Sequence, residues 1–156
     1  MDTPFYNQNG IEVRRSLKTD TFELKQDDCN EVYWSHGLMP DEAIEMSLDS
    51  SLVSFTVWID GKPEIIFGIN PVSILGNSAI IYMLSSERIK DIGLRFARHS
   101  REYVDYFLSY YSHLFNYISV ENHSSITWLK MLGAKFYEVE NYGIYNKPFV
   151  KFEFKR

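Results

Sequence analysis

The spacing of apolar residues changes period several times along the chain, and each change marks an element. Residues 1–10 are polar, and Asn7-Gln8-Asn9-Gly10 is a turn signal, so this stretch reads as a flexible tail. Ile11, Val13 and Leu17 fall on one alternating face and predict a first strand. From Thr21 the pattern turns helical, with Leu24, Asp28, Val32 and Trp34 at mixed helical spacings and Gly37 as the stop. Pro40-Asp41-Glu42 opens a second helix: proline suits the first turn, acids suit the positive end of the dipole, and Ala43, Ile44 and Leu48 supply an apolar side.

The middle of the chain changes period. Ser51 to Ile59 is rich in Val, Phe and Trp, Asp60-Gly61 is a hairpin signal, and Glu64 to Ile69 is the partner strand. Pro71 and Gly76-Asn77 break the pattern before a third strand over residues 78–84. Ile92, Phe96, Tyr103, Phe107 and Tyr110 then predict one long amphipathic helix from Ile89 to Tyr111. A buried-looking strand over 113–120 is followed by a helix over 123–132, capped by Asn122 or Ser124 and ended by Gly133. Phe136 to Val139, a tyrosine-bearing loop at 141–146, and an alternating strand from Phe149 to Phe154 complete the chain.

The order is β-αα-βββ-α-β-α-ββ. It predicts an α+β domain with a mixed, mostly antiparallel sheet of six to seven strands, flanked by about four helices. At 156 residues and 45% hydrophobic content the chain is long and apolar enough for one domain spanning 1–156. The net charge of −5 argues against broad nucleic-acid binding, which needs concentrated Lys and Arg. A local basic cluster, Arg88, Lys90, Arg95, Arg98, His99 and Arg101, reads either as a solvated helix face or as a place for one phosphate-bearing ligand. Cys29 stands alone among acids, which disfavours a thiolate. The four histidines lack a metal-helix spacing, so no metal site is expected. No apolar run approaches a membrane span, and the N-terminus lacks signal-peptide features, so a cytoplasmic location is expected.

The stretch from Val120 to Phe136, and within it Asn122, Ile126, Leu132 and Gly133, resembles motif B of the GNAT N-acetyltransferases, V-x-x-x-N-x-x-A-I-x-L-Y-x-x-x-G-F. The resemblance implies the GNAT fold, acetyl-CoA as cofactor, and a protein or small amine as partner. In that family two neighbouring strands splay apart to take the pantetheine arm; here they would be residues 78–84 and 113–120. The diphosphate would meet the next helix N-terminus, where unpaired amides point outward.

Leu84, Ser85, Ser86 and Arg88, with Asn122 and Ser125, are therefore the expected cofactor contacts. Two departures stand out. Residues 84–93 lack the usual glycine-rich phosphate loop, and Leu129 occupies the place of the family's usual catalytic tyrosine. Tyr82, Tyr117, Tyr142 and Tyr145 are candidate replacements for the acid, and Glu64 and Glu121 are candidate bases. For each carboxylate the alternative is a plain surface group, and for Asn122 and Ser85-Ser86 it is helix capping.

The segment Phe96 to Asp105, with Tyr111 to Tyr117 and Asn122 to Lys130, is similar to a narrower group: small GNAT-like proteins of tailed phages, some labelled internal virion proteins. That likeness implies phage origin and leaves two readings. One is an acyl-CoA-dependent N-acyltransferase, degenerate or active. The other is a non-catalytic protein of the same fold that serves in the particle or binds a host protein, in the host cytoplasm or the virion.

Overall fold

The period-two stretches pair into one sheet. The computed structural model describes residues 1–156. Its strands are β1 (Asn7–Gln8), β2 (Ile11–Arg15), β3 (Val53–Ile59), β4 (Lys62–Pro71), β5 (Ser78–Ser85), β6 (His113–Ser119), β7 (Lys135–Tyr142) and β8 (Lys147–Lys155). Their spatial order is β1-β2-β3-β4-β5-β6-β8-β7. Every neighbouring pair is antiparallel except β5 and β6. The helices are α1 (Gln26–His36), α2 (Pro40–Ser50), α3 (Leu94–His99), α4 (Arg101–Leu108) and α5 (His123–Met131).

Alternation along the strands gives the sheet two apolar faces. On one, Phe55, Ile65, Ile81 and Leu114 pack with Phe96, Tyr103 and Phe107 of α3 and α4. On the other, Ile66 and Leu84 meet Leu24 and the α2 residues Ala43, Ile44 and Leu48. Each of the buried Leu, Ile and Phe side chains contributes about 1.5–3 kcal/mol by leaving water.

The Asp60-Gly61 turn has both residues at positive φ, as a two-residue hairpin requires. Gly68 is needed for a different reason. A Cβ there would lie 2.5 Å from the Val53 carbonyl oxygen of the adjacent strand.

Four expectations need correction. The sheet has eight strands, because Asn7 and Gln8 pair with Glu12 and Ile11 through a turn with Asn9 and Gly10 at positive φ. Residues 1–10 are thus not simply a loose tail, since Tyr6 is buried with its ring edge-on to Phe96 at 5.0 Å. The first helix begins at Gln26, not near Thr21. Lys25 N–H is committed to the carbonyl of Ser85 at 2.9 Å, which holds the preceding backbone extended.

The long helix from Ile89 to Tyr111 is three pieces: a 3-10 turn over Glu87–Asp91, then α3, then α4. Ser86 starts the tight turn by accepting from Arg88 N–H at 3.1 Å. Gly93 is extended before α3. At Ser100 the hydroxyl donates back to the Ala97 carbonyl and accepts from Trp128 Nε1, a side-chain competition that bends helices.

Candidate functional site

The parallel ladder between β5 and β6 is short. It pairs Ser78 with His113, Ala79 with Leu114 and Ile80 with Phe115, and then stops. β6 stays laddered to β8 along its whole length, and β5 to β4, so the two strands diverge as a fork. Backbone polar groups on the inner edges of a fork lose their strand partners and must find others.

Side chains supply most of them. At the apex, Asn116 stands in for the missing strand: its Nδ2 donates to the Ile81 carbonyl at 2.8 Å and its Oδ1 accepts from Tyr117 N–H at 2.7 Å. Further out, α1 reaches in. Asp28 Oδ2 accepts from Ser85 N–H at 2.8 Å and from the Ser85 hydroxyl at 3.3 Å. Glu31 Oε1 accepts from Ser119 N–H at 2.6 Å. By the alternation that turns Ile81 and Ser85 toward β6, the amide and carbonyl of Met83 face the remaining gap.

These carboxylates belong to one buried network. Lys25 Nζ donates to Asp28 Oδ1 at 2.6 Å and to Asn122 Oδ1 at 2.9 Å, and lies 3.5 Å from the Ser125 hydroxyl. Asn122 Nδ2 donates to Asp28 Oδ1 at 3.1 Å and to Glu31 Oε2 at 3.0 Å. Lys25, Asp28, Ser85, Asn122 and Ser125 are all buried. The ammonium is spent on Asp28, so Glu31 has no cation of its own. Burial first, and the nearby Asp28 charge second, push the Glu31 carboxyl up to about 8, against the opposing pull of the Ser119 and Asn122 donors.

Beside the network a mostly apolar cavity of about 360 Å³ passes through the fork. Its walls include Val32 and Met46 from α1 and α2 on one side, and Tyr103 and Phe107 from α4 on the other. Tyr82, Leu84, Glu31, Asn122, Ser125 and Leu129 also line it.

The residues picked out from sequence therefore separate into groups. Tyr82, Leu84, Asn122 and Ser125 come together at the cavity, with Ser85 buried beside them. The Tyr82 hydroxyl is 2.6 Å from the Ser51 hydroxyl, and burial raises its pKa. Glu64, Ser86 and Arg88 surround a separate shallow depression on the protein's surface. Glu121 is exposed at the turn after β6 and lines neither.

Asn122 precedes α5, but its side chain makes no capping bond to that helix and turns inward instead. Of the alternative acids, Tyr117 stacks on Tyr142 at 4.1 Å, while Tyr145 stacks on Tyr33 at the surface. Half of the basic cluster is held in ion pairs: Arg88 with Asp60 and Asp91, Lys90 with Glu87, and Arg101 with Asp105. No group of His, Cys, Asp and Glu is arranged to hold a metal, and no helix is long and apolar enough to cross a membrane.

Lys25, Asp28, Glu31 and Asn116 carry the fork yet were not picked out from sequence. One signal was present for them. Asp28 sits between Leu24 and Val32 at helical spacing, a carboxylate on an otherwise inward-facing stripe.

Comparison with known proteins fits this geometry. Residues 65–141, from within β4 to β7, match the family described as bacteriophage T7, probable scaffold protein Gp13. No curated protein sequence matches the chain. Among solved structures, the ribosomal-protein-S5-alanine acetyltransferase of Vibrio fischeri superposes with a TM-score of 0.64 at 11% identity, covering 98% of this chain and 97% of its own. A GNAT-family acetyltransferase of Streptococcus pneumoniae gives 0.64 at 11% identity, covering 94% of this chain and 99% of its own. One from Elizabethkingia anophelis, with acetyl-CoA bound, gives 0.63 at 10% identity, covering 96% of this chain and 100% of its own. Identities this low speak to architecture alone. With the splayed β5–β6 pair and the three-layer arrangement, they make this an α+β chain with the GNAT acetyltransferase fold.

Proposed function

We propose that the chain, acting as one domain over 1–156, uses the GNAT fold as a protein-binding module in the assembly of a tailed-phage particle, with its acyl-CoA fork closed by its own first helix. The observation that carries this reading is the capture of Ser85 N–H by Asp28 and of Ser119 N–H by Glu31. An arm that needs those strand edges would have to displace the Asp28 carboxylate and the Glu31 carboxyl from a buried network. Disturbing it costs several kcal/mol where Asp28 is drawn away from the Lys25 ammonium and both are left buried and unpaired. The phosphate end fares no better. Arg88 is held by Asp60 and Asp91, and Ser86 caps the 3-10 turn. The similarity of residues 65–141 to a probable phage scaffold family supports the assembly role, with a protein partner in the host cytoplasm or in the particle.

The test is thermal unfolding with and without millimolar acetyl-CoA. A ligand at a hundred times its dissociation constant stabilises a fold by about 2.7 kcal/mol. The expected result is no shift. A shift of several degrees, removed by Asn122→Ala, overturns this reading.

That outcome would favour the second reading, an acyl-CoA-dependent N-acyltransferase. One observation speaks for it: the cavity of about 360 Å³ runs through the fork beside Glu31, whose carboxyl is pushed up to about 8 by burial. A carboxylate poised there could take a proton from an amine near neutral pH, and catalysis would rest on holding the amine against the thioester. Acetyl transfer to a polyamine or peptide panel, followed by mass spectrometry, would reveal it.

A further inference from the structure

Ser78 is the first residue of β5 and His113 the first of β6. The parallel register sets them side by side, so their side chains leave the sheet on one face. On the next strand Phe115 stands opposite Glu153, which brings a carboxylate to the same face two residues along. These three residues come from places 35 and 40 positions apart in the chain, and the ladder aligns them in series. The Ser78 hydroxyl lies 2.9 Å from His113 Nδ1, and His113 Nε2 lies 2.7 Å from Glu153 Oε2.

The surroundings fix the roles along this series. Glu153 is 4% exposed, and the Tyr137 hydroxyl donates to its other oxygen, Oε1. Tyr137 first, and His113 after it, hold the carboxyl at about 2, so it is ionised and can only accept. The His113 proton therefore sits on Nε2, and the neutral ring turns the lone pair of Nδ1 toward the Ser78 hydroxyl. Phe115 stacks on the imidazole at 5.4 Å with an interplanar angle of 16°, which holds the ring plane. The His113 N–H donates to the Asn77 carbonyl at 3.1 Å, which ties the backbone before Ser78 to β6. Ser78 and His113 are only half-buried, so the hydroxyl is open to a reactant.

A nucleophile, a base within hydrogen-bond reach and an acid that orients the base are the parts of a serine hydrolase triad. The commonest triads use Nε2 toward the serine and Nδ1 toward the acid; here the two nitrogens exchange places, and each keeps the lone pair or proton its role needs. We propose that Ser78, His113 and Glu153 form a second active site, one that hydrolyses carboxylic esters. Ser78 Oγ attacks the ester carbonyl carbon while its proton passes to His113 Nδ1. The bond from that carbon to the alcohol oxygen breaks, and the alcohol leaves with the proton, so the acyl group stays on Ser78. Water then attacks the acyl carbon, gives its proton to Nδ1, and the acid departs as the proton returns to Ser78. Glu153 keeps its charge throughout and stabilises the imidazolium, a positioning role.

The turn leading into Ser78 suggests the substrate. Residues 71–77 carry no charge, Ile74 and Leu75 are 98% and 96% exposed, and the Val72 N–H donates to the Ser78 carbonyl at 3.3 Å. Apolar side chains beside the nucleophile suit an ester with an apolar acyl group. The site lies at the laddered end of the β5–β6 pair, away from the fork, so it stands whether or not the fork takes acyl-CoA.

A fluorophosphonate, which phosphonylates an activated serine and releases fluoride, tests the nucleophile by mass spectrometry of the intact and digested protein. One adduct on Ser78 is expected. Ser78→Ala, which removes a half-buried hydroxyl and should leave the melting temperature unchanged, should take no label. His113→Gln should slow labelling about a hundredfold or more, the contribution of a general base. Multiple turnover of p-nitrophenyl butyrate, abolished by Ser78→Ala, is the second expected result. An unlabelled protein, a label on another residue, equal labelling rates for His113→Gln and the parent, or ester turnover that is absent or survives Ser78→Ala overturns the proposal.

Discussion

The two ends of the β5–β6 pair hold carboxylates in opposite states. At the closed end, Glu153 accepts from the Tyr137 hydroxyl and lies 2.7 Å from His113 Nε2, whose Nδ1 is 2.9 Å from the Ser78 hydroxyl. Those donors, Tyr137 first, hold its carboxyl at about 2 against the opposing effect of burial. At the open end, Glu31 also has two donors, yet burial and Asp28 push it up to about 8. The difference lies in what surrounds each donor set. Glu153 is surrounded by groups that favour its charge, including Lys155 at 3.6 Å. Glu31 shares its pocket with Asp28, which has already taken the one ammonium. A pair of donors alone therefore does not fix a carboxylate's state: burial, with Asp28 behind it, outweighs the donors at Glu31, while the Tyr137 hydrogen bond outweighs burial at Glu153.

The largest effect should follow from removing that ammonium. Lys25→Met leaves Asp28 buried and unpaired next to Glu31, and should cost roughly 3–5 kcal/mol, or about 10 °C in melting temperature. The double variant Lys25→Met with Asp28→Leu should recover part of this, because it removes both charges together. Chemical denaturation of the three proteins at one pH is the measurement. A loss below about 1 kcal/mol for Lys25→Met would show that the network is not what holds the fork.

Next come the two titrations, with opposite signs. Glu31 has its folded pKa raised from 4.5 to about 8, so the folded state holds the extra proton. Its contribution is fully present below about 4.5 and is lost as pH rises toward 8, with a slope of up to ~1.4 kcal/mol per pH unit. Glu31→Gln should flatten this limb whatever it does to absolute stability. Glu153 has its folded pKa lowered from 4.5 to about 2. Its contribution is present above 4.5 and is lost as pH falls toward 2. Glu153→Gln should flatten the acid limb and cost about 1.5–3 kcal/mol near neutral pH, the range for hydrogen bonds to charged groups. Stability profiles of the two variants that could be exchanged without notice would end the contrast between the two ends.

Much of the frame behind this contrast could be read from local pattern. Runs of β-forming residues and the turns between them placed the strands from β3 through β6, because residue type and the Asp60-Gly61 turn are local properties. Local spacing in the Asn122–Gly133 segment predicted the helix, and the resemblance to motif B implied the place of Asn122 at the fork. What could not be read depends on contacts distant in sequence. Lys25 and Asn122 are 97 residues apart, and Glu31 and Ser119 are 88 apart. Lys25 and Glu31 look like ordinary solvated residues until the fold buries them, and Asp28 alone carries a local hint, its place on an apolar stripe. The same blindness applies to Ser100, where the helix bends and the hydroxyl also accepts from Trp128, 28 residues away. Asn7-Gln8 was missed for a different reason, since two residues are too few to show a period.

The smallest expected effect tests whether the contrast belongs to the strands or to charge pairs in general. Arg88 makes two ion pairs, with Asp60 at 3.1 Å and Asp91 at 2.6 Å, which on paper rival the Lys25–Asp28 pair. Its side chain, however, is 39% exposed and its partners 68% and 57%, against 3% and 2% for Lys25 and Asp28. Water screens the exposed pairs and keeps the released carboxylates solvated, so Arg88→Ala should change stability by less than about 1 kcal/mol. Raising the salt to about 1 M should shrink even that difference, while the cost of Lys25→Met persists because a buried pair is screened much less. Equal costs for the two variants would mean that burial at the fork is not what gives its charges their weight.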